Sequence, residues 1–587
     1  MRLRWPRSRA TSLSHAVNSR PLTRSLDITS SPFSHTAPLS RINPLMDEPI
    51  MQMVSNDECP LDALKEVISL DAITPFPHLL IVLHYLRRCK FSLLQNDQVV
   101  EQSFQFLQSI YHSNTSHLND REVLYYKAIE LWMRGYYSSA AKQLEEVVIL
   151  YPSDVLALRL AQDAYITAGD TSNALICSLR SSFAFNAKHI LHGYYLGILC
   201  NGYLAANRLH EAEDVGLRAV EKSQGTDLAS LQALMTTYLL LGRSSECNAL
   251  LDRYSERHEN SYACIYCLFF RAKIFIQRGN YSGTLRKIEE ILKELDSVAA
   301  DPELLSLPSM LLWELHLNSN SADLKLLWRN LLMRWNSFVC DHDVILSPAN
   351  FVCAAIAYAG ACNYTFIPPD EGTGSSKDDA KATSLIGTLL QSFRPSAQSS
   401  SFGEQRSDST DNSEDELHEK MKSSSSIFFK KLHDVGNDSG EIGSLNHICL
   451  NSSRVPEAPN NCSEAVWLAR SAVIPLCTAF ESFMLKDYAK AYALLIDSKC
   501  VWYRAGGSRL FQDLLQFTLI EASLRMESLH STRMLLSERT ALVPNDSQSW
   551  RRLAVVLTRL GMEEEARGAQ YTAWQLGIGQ GGFGGPK

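Results

Sequence analysis

The sequence predicts an all-α protein built as an α-solenoid of stacked antiparallel helix pairs. Residues 124–186 state one pattern twice at a spacing of 34, the pattern returns at later places, and glycine and proline fall where a helix pair must turn. In the first copy Ala128 lies one helical turn before Leu131, Gly135 ends the helix, and Tyr137, Ala140, Leu144 and Val147 mark a second helix closed by Pro152. Leu158, Ala161, Tyr165, Gly169 and Ala174 follow in register. A small residue lets the partner helix cross closely, glycine accepts the left-handed turn after a helix, and proline cannot continue one.

Each segment can be read in order from the N-terminus. Residues 1–45 hold seven Arg, no Lys and one acidic residue, Asp27. With no apolar core they are not a secretory signal; the composition fits an organelle transit peptide, and equally an extension ahead of Met46, where ordinary acidic content begins. Either reading leaves them outside the fold. Residues 55–118 carry three helices within 61–112, with Leu79, Leu83 and Leu86 at helical spacing. Over 119–295 the repeats continue through Leu196, Cys200, Tyr203, Asn207 and Ala212, then Met235, Tyr238 and Gly242, then Leu268, Ala272, Phe275, Gly279, Tyr281 and Ile288. Residues 296–365 extend the array as less regular helices at 304–317, 324–338 and 347–361, with Pro302 and Pro348 at first-turn positions.

At 366–462 the composition shifts to Ser, Asp, Glu, Gly, Lys and Asn. Such a segment buries too little apolar surface to offset the entropy of ordering it, so it reads as a disordered insertion. Helical units resume over 463–576, first as a partial unit at Phe480, Asp487, Tyr488, Ala491 and Leu495. Trp550, Leu553, Ala554, Leu557, Gly561, Ala566 and Ala573 form the most regular copy, after Pro544. The glycine-rich tail, 577–587, is expected to be mobile.

The period and the alternation of small and large residues resemble the tetratricopeptide repeat, whose units stack because none can bury its apolar face alone. The order of segments further resembles the tetratricopeptide repeat protein 38 family. The stretches that carry this are Arg121-Glu122, Pro152-Ser153-Asp154-Val155-Leu156-Ala157-Leu158 leading to Asp163-Ala164-Tyr165, Pro475-Leu476-Cys477, and Ala505-Gly506-Gly507-Ser508. The resemblance covers most of 55–575 and is interrupted by the insertion. It implies a helical repeat protein existing as a monomer or small assembly. It also implies histidines and a glutamate in the first helices of two successive repeats. Aligned on Gly242 and Gly279, those positions hold Gln232, Thr236, Tyr238, Tyr266, Phe270 and Leu239. None is retained, so the chain is a divergent member lacking any chemistry that imidazoles would supply there.

Composition narrows the function classes. A net charge of −8 offers no basic field for nucleic acid, and no window has the roughly 18 apolar residues that span a bilayer, so neither nucleic acid nor membrane is an expected partner. The 14 cysteines are scattered at apolar positions, as in a reducing compartment; the expected location is the cytoplasm, or a mitochondrion or plastid if 1–45 is a transit peptide. Cys264 and Cys267 form a Cys-x-x-Cys inside a predicted helix with no second ligand pair, which favours core packing over zinc or redox chemistry. Metalloprotease, phosphate-loop and nucleophile-elbow motifs are absent from the sequence. No cofactor, metal or enzymatic activity is expected. Gly506-Gly507-Ser508 reads either as an anion-binding helix start or, preferably, as a turn with Ser508 as N-cap and Asp513 in the early helix. Ser413, followed directly by acidic residues, is a candidate phosphorylation site in the insertion.

The leading expectation is a non-enzymatic solenoid that binds a protein or peptide segment in its concave groove. First-helix positions off the packing seam are the candidate contacts: Tyr125, Ile129 and Trp132, then Arg159 and Asp163, then Asn201, then Gln232 and Thr236, then Phe269 and Lys273. Two alternatives stay open. One is a hydrolase or binding protein for a small molecule on the same scaffold. The other is a scaffold whose groove is filled by the insertion or the N-terminal helices.

Overall fold

The computed structural model describes residues 43–55, 61–87, 98–112, 118–254, 261–298, 301–318, 324–339, 347–363 and 469–579. Helices dominate, and no strand occurs among these residues. The solenoid of antiparallel helix pairs is therefore the observed fold, and each pair arises where the sequence places it.

The N-terminal helices are α1 (Asn43–Ser55), α2 (Leu61–Leu70), α3 (Pro75–Arg87) and α4 (Gln98–His112). The regular pairs follow as α5 (Asp120–Met133) with α6 (Tyr137–Leu150), α7 (Val155–Thr167) with α8 (Thr171–Arg180), and α9 (His192–Ala205) with α10 (Leu209–Ser223). Then come α11 (Leu228–Leu240) with α12 (Ser244–Tyr254) and α13 (Ser261–Gln277) with α14 (Tyr281–Glu294). Longer helices α15 (Pro302–Asn318), α16 (Lys325–Val339) and α17 (Pro348–Asn363) continue the array, with Pro302 and Pro348 in their first turns as expected. After 469 the chain forms α18 (Ile474–Met484), α19 (Tyr488–Ser498), a 3-10 turn (Lys499–Ala505), α20 (Arg509–Arg525), α21 (Leu529–Leu542), α22 (Ser547–Arg559) and α23 (Glu563–Gly579). The insertion with Ser413, and most of the leader and tail, lie outside the described residues.

Local chemistry fixes the ends. Asn119 caps α5 through a reciprocal box, its Oδ1 accepting from Glu122 N at 2.8 Å while its own N–H donates to Glu122 Oε2 at 3.1 Å. Asp154, Asp170, Asn280, Asp487, Ser508 and Asp546 cap later helices with side-chain oxygens.

First helices α7, α9, α11, α13, α15 and α17 lie side by side and form the inner layer. That layer is not open. On one side α1 packs on α7 and α11; on the other, α20 packs on α11 and α15. Met46, Ile50, Met53 and Val54 of α1 are buried, so the expectation that the chain before 46 lies wholly outside the fold is corrected: α1 begins at Asn43. Its apolar residues need the groove wall as cover.

Two of the helix-ending glycines show how tightly the C-terminal block is seated. At Gly169 (φ +72°) a Cβ would stand 2.2 Å from Tyr503 O, and at Gly242 (φ +70°) 2.5 Å from Asn545 O. Only glycine allows these backbones to meet. Polar ties run alongside: Arg509 donates to Asn207 Oδ1 at 2.7 Å, Asn545 to Leu241 O at 3.0 Å, Gln548 to Ile276 O at 2.6 Å and Arg552 to Asn318 Oδ1 at 2.6 Å.

One buried and one partly buried histidine are expected to make the fold acid-sensitive. His78 meets Ser103 Oγ at 3.0 Å and the Phe106 ring at 4.4 Å, while His316 lies between Trp313 and Phe483. Burial lowers both from 6.5 to about 4, with the Arg525 charge adding to the effect at His316. Between these values the unfolded chain binds the extra protons, so stability held above the unfolded pKa is lost as pH falls through the folded one. Burial acts the other way on Asp227, pushing its carboxyl from 3.8 up to about 6, so that this group costs stability as pH rises toward neutrality. Two histidines outweigh one aspartate. Acidification from neutrality to pH 4 is expected to destabilise the fold, by about 3 kcal/mol per histidine at 1.4 kcal/mol per pKa unit. Melting curves across this range should flatten in the His78→Gln variant; an unchanged slope would show that His78 has no part in it.

Candidate ligand site on the concave face

The block after 469 and helix α3 close part of the inner layer into a chamber of about 270 Å³. Its floor comes from α7, α9, α11 and α13, and its far wall from α15, α17 and the start of α20. Six of the ten groove candidates come together on it: Arg159, Asp163, Asn201, Gln232, Thr236 and Phe269.

The other four go elsewhere, and the open-groove reading of them is corrected. Tyr125, Ile129 and Trp132 are buried under the N-terminal helices. Tyr125 OH donates to Asp154 at 3.1 Å, beside the Arg121–Asp154 ion pair at 2.6 Å, and its ring meets Phe76 of α3 edge-on. Trp132 packs edge-on against Tyr137. Lys273 is paired with Glu314 at 2.5 Å, both side chains less than a tenth exposed, beside a separate void of about 20 Å³ that holds about one water.

The chamber is amphipathic. Asp163 of α7 stands between two guanidiniums, with Arg87 Nε 2.7 Å from Oδ2 and Arg159 Nε 3.3 Å from Oδ1. Neither approach has the directionality of a hydrogen bond, so both act as ion pairs. Arg87 also donates Nη1 to Met53 O of α1, which locks the end of α3 across the groove. Arg159 Nη1 has no hydrogen-bond partner, and the residue is 6% exposed. Across the chamber Arg509 directs its Nη groups to Gln512 and Asn207, Tyr266 OH donates to Glu303 at 3.0 Å, and Asn201 donates to Gln162 at 3.1 Å. Phe269, Phe270, Leu307, Met310 and Phe511 supply buried apolar wall.

Gly506-Gly507-Ser508 turns the chain into this wall. Ser508 Oγ accepts from Phe511 N at 3.2 Å, the N-cap that the sequence favours. A Cβ on Gly506 would stand 2.6 Å from Thr167 O, so the turn lies directly on the C-terminus of α7. Cys264 and Cys267 are partly buried within α13, and burial pushes both thiols up. Among the described residues no group of three or more His, Cys, Asp or Glu could hold a metal ion, and no helix is long and apolar enough to cross a membrane.

Arg87, Glu303, Met310 and Arg509 escaped the candidate list because they lie on α3, α15 and α20, outside the regular repeats, and Phe270 entered only as a position named by the family resemblance. A signal was present for Arg509, which follows the Gly506-Gly507-Ser508 turn. Four of the six positions where the family resemblance sets histidines or a glutamate, Gln232, Thr236, Tyr266 and Phe270, line this chamber. Fold and site together define a helical-repeat protein with a part-open amphipathic pocket on its inner layer. No family model matches the chain.

Proposed function

We propose that the protein is a non-enzymatic binding protein that encloses a compact ligand in the chamber of its concave face. The observation that carries this is the packing of α20 against the inner layer, which leaves a part-open cavity of about 270 Å³, just below the size range of small-molecule sites. The lining supports binding over catalysis. It contains no histidine, its Cys353 thiol is pushed up by burial, and Asp163 and Glu303 are engaged by Arg87, Arg159 and Tyr266, leaving no poised acid–base pair.

Filling the chamber tests this. Ala233 lies on the wall and is buried, so Ala233→Leu places three extra carbons in the ligand's space. Saturation-transfer NMR of the full chain against a library of small metabolites is expected to detect binders that the variant loses, while its melting and circular dichroism match wild type. Equal signals from both proteins, or none from either, would overturn the reading.

A further inference from the structure

We propose that the chamber selects small organic monoanions, a carboxylate on a short apolar body, and that Arg159 receives the acid group; this rests on the reading of the chamber as a ligand site. Arg159 carries the argument. Its guanidinium is drawn out of water on α7, its Nε shares the single carboxylate of Asp163 with Arg87, and its Nη1 has no partner. A buried guanidinium nitrogen without an acceptor is costly, and the chamber is the space beside it.

The charges around the chamber set the ligand's charge. Arg87, Arg159 and Arg509 face it together with Asp163 and Glu303, so on the lining itself cations outnumber carboxylates, while Asp513 acts on Arg509 from outside it. Asp227, outside the lining, is buried, accepts from Ser230 and acts on Arg159 through its charge. Arg509 Nε also lacks a hydrogen-bond partner. A planar carboxylate matches the edge of a guanidinium with two parallel acceptors. Phe269, Phe270, Leu307 and Met310 have side chains at most 5% exposed and give the remainder of such a ligand an apolar surface.

The test is calorimetric titration of the full chain with a series of straight-chain and aryl-substituted carboxylates, their alcohols of equal length, phenyl phosphate and inorganic phosphate. The acids are expected to bind roughly tenfold or more tighter than the matching alcohols, the value of a charge-assisted hydrogen bond. Arg159→Met, shown by circular dichroism to be folded, should bind acids and alcohols alike, and Arg159→Lys should restore part of the preference for acids. Acids and alcohols binding alike, both blocked by Ala233→Leu, would overturn the selectivity and leave the chamber a ligand site. Tighter binding of phenyl phosphate would overturn the monoanion assignment. No binding by any acid would overturn the inference, and the metabolite screen would then decide the broader reading separately.

Discussion

Replacing Arg539 with methionine is expected to destabilise the C-terminal block by about 3–5 kcal/mol, the cost of leaving buried carboxylates without their cation. Arg539 on α21 is 4% exposed in its side chain and pairs with Asp513 at 2.7 Å and Asp546 at 3.3 Å. It also donates to Ser549 at 3.0 Å and stacks 3.7 Å from the centre of the Phe517 ring. Burial alone would raise the carboxyl of Asp513, yet it lies below its ordinary value because the charge and hydrogen bonds of Arg539, with the charges of Lys273 and Arg509, outweigh that effect. Methionine keeps the packing on Phe517 and removes the charge. Hydrogen exchange of α20–α22 amides reads the loss directly, and Arg539→Met combined with Asp513→Asn should recover part of it, since only the Asp546 carboxylate is then left facing the vacated position. A loss below about 1 kcal/mol would place this cluster among the weak surface pairs instead.

Trp313→Ala is expected to cost a similar amount, about 3–5 kcal/mol for truncating a buried tryptophan, and to loosen one region selectively. Trp313 of α15 is fully buried, meets Phe480 of α18 edge-on at 4.8 Å and donates its indole N–H to Thr518 of α20 at 2.9 Å. It adds a fully buried aromatic contact to the polar ties that join these two parts of the chain. In a quasi-one-dimensional array, damage at such a junction releases the docked block before it disturbs distant repeats. Amides of α18 and α20 should exchange faster while those of α5–α10 stay protected. Uniform acceleration along the whole chain would show that the two blocks unfold as one.

The pair-by-pair architecture was legible because each unit states its own local rules. Gly135, Gly169, Gly242, Gly279 and Gly561 all take positive φ, as the pattern requires, and Asn207 makes the same turn at φ 59°. Closure of the concave face was harder to read because it depends on contacts such as Asn207 with Arg509, 302 residues apart, about which local periodicity is silent. One sign was nevertheless in the sequence. Every position of α11 except Gln232 is buried, and α15 and the middle of α17 are covered all round, in keeping with segments that have almost no polar face. A helix apolar on all sides is an interior helix, and an inner layer made of such helices cannot face open water. Tyr125 and Trp132 were misplaced for a related reason: their helix does face inward, but α3 covers it.

The pairing of Trp313 with Thr518 across 205 residues also bears on how the protein is made. At roughly 5–20 residues per second of synthesis, the ribosome needs about ten to forty seconds to pass from one partner to the other. During that interval the early repeats can fold on their neighbours, while the apolar faces of α11 and α15 have no α20 to cover them. Nascent chains in this state present the kind of surface that chaperones recognise, and the chamber can come into existence only after the late helices have been delivered.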